Sequence, residues 1–221
     1  MALNLFGVTV NDAHMAQVSV ADTETIAVRD LAAICGQVEY REPQLDDASI
    51  TRLSDVISAF AARGPVLPAP TGIVFRSAAN VERWLELHYG ALTAALTFVE
   101  NRVAARVHIS KPPENTSNAS GAGGVDDRRD RRGTVAAPAV DLEALAAESL
   151  RVLRHAAVAT LPLRADRTAG IVLSAAFLVE QDLWKQFVSE VDAQAKLASG
   201  VRFELTGPWP PYDFVQMQLG A

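Results

Sequence analysis

Four histidines, one cysteine and a few carboxylate pairs are the side chains of this 221-residue chain best suited to ligate a metal or move a proton. His14, His88, His108 and His155 are scattered, with no His-x-x-x-His pair and no Glu at a zinc-like interval. His88 falls on the apolar stripe of a helix and His108 lies in a strand beside Arg106; a satisfied core or boundary histidine suits both places better than a ligand does. Cys35, in Leu31-Ala32-Ala33-Ile34-Cys35, reads as a small buried hydrophobe. A lone cysteine makes neither an intramolecular disulfide nor a Cys-x-x-Cys knuckle. Asp46/Asp47 and Glu190/Asp192 read as helix caps and solvated faces. Gly121-Ala122-Gly123-Gly124 precedes no helix directly, so it is no phosphate loop, and Gly-x-Ser-x-Gly is absent. These residues supply no catalytic, cofactor-binding or metal-binding set, and the chain is expected not to be an enzyme.

Composition narrows the partners. Hydrophobic residues make up 49% of the chain, enough for one or two cores, and the formal net charge is -6. That balance speaks against nucleic acid and anionic membrane, both of which call for clustered Lys and Arg. The start, Met1-Ala2-Leu3-Asn4-Leu5-Phe6, shows no basic region and no long apolar run. The longest strongly apolar stretch, Thr168 to Val179, is too short to span a bilayer. A cytoplasmic location is expected.

The elements that position these side chains fall into two α+β domains. Residues 1–102 form a smaller mixed domain: a strand at Leu3–Val10, short strands at Thr25–Val28 and Leu31–Val38, and a strand at Thr71–Phe75 after the proline-punctuated Gly64–Pro70. Asp46 or Asp47 caps a helix with Ile50, Leu53, Ile57 and Phe60 on one face. A longer helix over Ala78–Glu100 buries Val81, Trp84, Leu85, His88, Leu92, Ala95 and Val99. Residues 103–206 form the second domain, with a mobile polar insertion at 110–138. Its order is strand (Val103–Ile109), helix from Asp141, strand (Val158–Leu163), strand (Ile171–Val179), helix (Gln181–Ser199) and strand (Val201–Leu205). The second helix sets Trp184, Phe187, Val188, Val191 and Ala195 at helical spacing. That order is the ferredoxin-like βαββαβ sandwich.

Residues 207–221 form an extended Pro/aromatic tail. Gly207, Pro208, Trp209, Pro210, Pro211, Tyr212 and Phe214 place three prolines, a glycine and three aromatics just after the last strand. Proline removes backbone donors, so the segment is expected to continue neither sheet nor helix. Trp209, Tyr212 and Phe214 are expected to act as apolar anchors across the domain junction, or else against a partner.

Phe203-Glu204-Leu205-Thr206-Gly207-Pro208-Trp209-Pro210-Pro211-Tyr212-Asp213-Phe214-Val215 resembles the closing signature of the gas vesicle GvpL/GvpF family. Leu5-Phe6-Gly7-Val8, Val66-Leu67-Pro68-Ala69-Pro70-Thr71-Gly72-Ile73-Val74-Phe75 and Ser174-Ala175-Ala176-Phe177-Leu178-Val179 resemble further family segments in the right order. The resemblance implies an accessory or minor structural protein of gas vesicles. Such a protein would use no cofactor, bind the hydrophobic shell subunit and other accessory proteins, and assist nucleation or assembly of the wall. The rival expectation is a ligand-binding or regulatory module on a ferredoxin-like fold.

Overall fold

The computed structural model describes residues 1–39, 46–111, 142–164, 170–198 and 200–215. These residues form two antiparallel sheets with four α-helices. The polar turn after Arg164, the cap expected at Asp141 and most of the insertion expected at 110–138 lie outside the described residues.

The first sheet contains β1 (Ala2–Val10), β2 (Thr23–Val28), β3 (Leu31–Val38), β4 (Val66–Pro68) and β5 (Val74–Phe75). Its order is β2-β3-β1-β4, with β5 also paired to β1. Helix α1 (Asp47–Ala61) starts where expected: the Asp46 carboxylate accepts the Ser49 N–H at 2.8 Å. It packs Val56, Ile57 and Phe60 with Phe6 and Ile34 on one face of the sheet. Helix α2 (Ala78–Val99) packs Val81, Leu85, Leu92, Leu96 and Val99 with Leu3, Leu5, Leu31, Ala33 and Cys35 on the other. Consecutive β3 residues thus serve two cores, as a pleated strand requires.

Ile50 does not join the α1 stripe; it is 51% exposed in the first turn, and burial begins further along the helix. Val66–Pro68 is a strand where the proline spacing suggests only a connector. Three residues suffice to pair with Gly7–Thr9 at the side of β1, and Pro68 ends the run.

The second sheet runs β7-β8-β6-β9, from β6 (Arg102–Ser110), β7 (Ala159–Pro162), β8 (Ile171–Glu180) and β9 (Arg202–Trp209). Its nearly all-apolar strand, β8, lies between β7 and β6 and is buried from Ser174 to Val179. Helices α3 (Leu142–His155) and α4 (Trp184–Leu197) cover one face. Ala146, Leu153, Phe187 and Val191 meet Ala105, Val107, Ile109, Ala175 and Phe177 there. Ala195, at helical spacing with that stripe, is exposed instead.

The last strand corrects the expected tail. β9 does not stop at Leu205; it continues through Gly207 and Pro208 to Trp209. Thr206 pairs with Arg106 and Trp209 with Ala104, so three steps along β9 match two along β6. That bulge takes up the glycine and the proline. β9 is also an outer strand, where a missing N–H costs the ladder least. No described helix is long and apolar enough to cross a membrane.

Candidate functional site

The segment leaving β9 ties the two sheets together. Gly207 has φ +131, and a Cβ there would stand 2.9 Å from the Ala104 carbonyl oxygen and 3.0 Å from the Trp184 ring. Only glycine fits that turn without displacement. The Gly207–Pro208 peptide is cis. Trp209 then pairs with Ala104 but stays 49% exposed, so it is not the buried anchor expected of it. It stands on an outer strand beside Ala104, on the face away from α3 and α4.

Beyond Trp209 the chain turns in. Pro210 is half-buried and Pro211 is buried. The Tyr212 N–H donates to the Pro210 carbonyl at 2.7 Å and the Phe214 N–H to the Pro211 carbonyl at 3.0 Å, closing a short 3-10 turn over Tyr212–Phe214. Tyr212 packs against the first sheet's core of Phe6, Met15, Ile34, Val56, Ile57, Phe60 and Val66. Burial there raises its phenol pKa. Phe214 is half-buried. Val215 packs against the core on the α2 side.

A charged pair pins this strap from the other side. Arg106 of β6 donates from Nε and Nη2 to the two carboxylate oxygens of Asp213, each at 2.8 Å. The bidentate bond to Asp213 raises the guanidinium pKa further. Arg106 and Asp213 are 107 residues apart, and the sequence alone marks neither as a site residue. The available signal was an arginine in the middle of a strand that needs its pleat buried; such a charge calls for a partner.

The residues first considered for chemistry are not brought together. His14 and His155 are exposed. The His88 ring lies 5.4 Å from that of Trp84. His108 Nδ1 is 2.8 Å from the Ser174 hydroxyl across the second sheet. Burial, helped by the charge of Glu24, pushes the Cys35 thiol up to about 12. Among the described residues no group of three or more His, Cys, Asp or Glu could hold a metal ion. An open hollow of about 510 Å³ is lined by Met1, Ala2, Val38, Glu39 and Arg76, with mostly apolar walls and no histidine or cysteine.

The family model for the gas vesicle synthesis protein GvpL/GvpF matches residues 3–216. The chain belongs to the GvpL/GvpF family. It is 25% identical over 201 residues to gas vesicle protein F2 of Halobacterium salinarum, covering 89% of this chain and 82% of that one. It is 32% identical over 214 residues to gas vesicle protein L of a Streptomyces species, covering 84% and 80%. Two solved structures share the fold. GvpF from Anabaena sp. PCC7120 superposes with a TM-score of 0.76 at 15% identity, over 98% of this chain and 97% of that one. GvpF from Microcystis aeruginosa gives 0.72 at 11% identity, over 98% and 99%.

The segments that resemble the GvpL/GvpF family fall two to each sheet. Gly7 and Val8 of β1 pair with Pro68 and Leu67 of β4, and Asn4 pairs with Val74 of β5. A Cβ on Gly7 would meet the Leu67 carbonyl oxygen at 2.7 Å, so the glycine is what lets the two segments close. Ser174–Val179 lies in β8 beside β6, and β6 carries β9 on its other side.

Proposed function

We propose that this protein is a gas vesicle accessory or minor structural protein that binds the hydrophobic shell subunit and helps nucleate or assemble the vesicle wall. The family match over nearly the whole chain carries the reading. The reading is non-enzymatic and needs no cofactor. It places the protein in the cytoplasm and at the gas vesicle, with other accessory proteins as further partners and neither nucleic acid nor membrane among them. We also infer a two-domain body whose second unit is ferredoxin-like, supported by the succession β6-α3-β7-β8-α4-β9 and the strand order β7-β8-β6-β9.

A binder of an apolar subunit needs an apolar platform, and α2 offers one, bounded at Phe98 by the Arg102 guanidinium 5.4 Å from the ring centroid. From Leu87 to Val99 its sequence holds no Asp, Glu, Lys or Arg. Leu87, Ala91, Ala94 and Phe98 recur at intervals of four, three and four, which set them on one side of the helix. All four are exposed, Leu87 by 78% and Phe98 by 41%. This stripe lies apart from the buried one of Leu85, Leu92, Leu96 and Val99.

Co-expression with a gas vesicle shell protein tests both levels. The wild type is expected to hold the shell protein in a soluble complex. A Leu87→Glu, Ala94→Glu double variant is expected to keep its melting temperature and lose the complex. A wild type that captures no shell protein ends the functional reading; a double variant that captures it normally moves the platform elsewhere.

A further inference from the structure

We infer that the outer edge of β2 is a self-association surface, on which a second copy of this chain adds its own β2 antiparallel and joins two five-stranded sheets. The inference does not depend on the shell-binding role.

The free edge follows from the ladder. β2 and β3 are joined by the two-residue turn Arg29-Asp30, with Arg29 at φ 57. The Asp30 carbonyl faces β1, accepting the Asn11 N–H at 2.7 Å. Even-numbered residues of β3 therefore bond to β1, and Leu31, Ala33 and Cys35 bond to Val28, Ile26 and Glu24 of β2. The N–H and C=O groups of Thr25 and Ala27 then point outward, along with the Thr23 carbonyl. The Thr23 N–H is taken by the Val20 carbonyl at 3.2 Å. Thr25 and Ala27 are exposed. Just before the strand, Arg52 reaches the Ala21 and Asp22 carbonyls, and among the described residues no backbone group bonds to the outer side of Thr25 or Ala27.

The other outer strands are blunted and β2 is not. β7 has four residues and ends in Pro162. β9 carries Pro208 and a bulge. β4 has three residues and ends in Pro68. β2 runs six residues, about 20 Å, with no proline, lysine or bulge. Proteins ordinarily protect such an edge from pairing.

Charge selects the occupant and its register. Glu24 is the one charged residue of β2. Antiparallel pairing about a two-fold axis at Thr25 sets Glu24 opposite Ile26 and Asp22 opposite Val28 of the second copy; an axis at Ile26 sets Asp22 opposite Asp30, like charge against like. The register at Thr25 makes four backbone bonds from groups that face outward from β2. Moving the axis to Glu24 opposes two glutamates, and moving it to Ala27 opposes Glu24 with Asp30. The edge is thus self-complementary in the register centred on Thr25 and repelled in the neighbouring ones. Pairing confined to one edge belongs to the weak class of interfaces, which bury under ~1,200 Å².

Sedimentation velocity over a concentration series tests this on the full chain, with hydrogen exchange as the local readout. Wild type is expected to pass from monomer to dimer as concentration rises, while the Thr25 and Ala27 amides gain protection. Thr25→Pro removes an outward N–H and spares the β2–β3 ladder; it is expected to stay monomeric with an unchanged melting temperature. If that variant does not fold, Thr25→Lys with Ala27→Lys sets two lysines against each other at the two-fold axis and should be monomeric too. A wild type that stays monomeric throughout, or a dimer that survives in a folded edge variant, overturns the inference.

Discussion

Cys35 shows how far burial, with a nearby carboxylate, sets the behaviour of a reactive side chain. The thiol is buried among Leu5, Ala33 and Leu85 in the α2-side core and is held up to about 12. In the unfolded chain a thiol ionises near ~8.5. Between those values the native state keeps a proton that the unfolded state releases, so stability is complete below about pH 8.5 and falls as pH rises toward 12. The raised phenol of Tyr212 adds the same sign from about pH 10 upward. Cys35→Ala is therefore expected to flatten the alkaline arm of melting temperature against pH; identical arms in the two proteins would contradict this. The fate of this side chain was readable in advance, because a cysteine in an apolar run has few alternatives. The Arg106–Asp213 pair was not, because its partners meet only after two sheets have formed.

Helices and inner strands follow their local patterns, and the last strand does not. The α2 stripe, the Asp46 cap and the buried run of β8 can each be read from apolar spacing within one segment. Whether a strand survives Gly207-Pro208 depends instead on its place in the sheet. An outer strand with a bulge accepts the proline; in an inner strand every N–H faces a neighbour, so a proline always costs a ladder bond. The glycine, not the tryptophan, is then the sensitive position. Gly207→Ala forces a Cβ toward the Ala104 carbonyl at φ +131 and is expected to cost roughly 1–3 kcal/mol. Trp209→Ala removes a side chain that is 49% exposed and should cost about 1 kcal/mol. Urea unfolding of both variants checks the ranking; a tryptophan variant weaker than the glycine variant would reverse it.

At the scale of the molecule, each half has its own core, and few described residues belong to both. One half buries Phe6, Ile34, Ile57 and Phe60 on one side of its sheet and Leu5, Leu31, Leu85 and Leu96 on the other; the other half buries Phe177, Phe187, Ile109 and Leu153. Separate cores can melt separately unless something couples them. The strap after Trp209 is placed to do so. Its Asp213 is bonded to β6, while Tyr212 and Val215 lie on the cores of the first half. Deleting residues 211–221 leaves β9 whole and removes all three contacts. Three half-buried apolar side chains, the buried Pro211 and one charge-assisted pair are lost, a cost of roughly 4–6 kcal/mol. The deletion is expected to lower the melting temperature and to split one calorimetric transition into two. Asp213→Asn keeps the apolar contacts and weakens only the charged pair, so it should shift the transition down by less and leave it single. A truncated protein that still melts in one step at the wild-type temperature would mean that the halves are joined elsewhere, through the direct passage of α2 into β6.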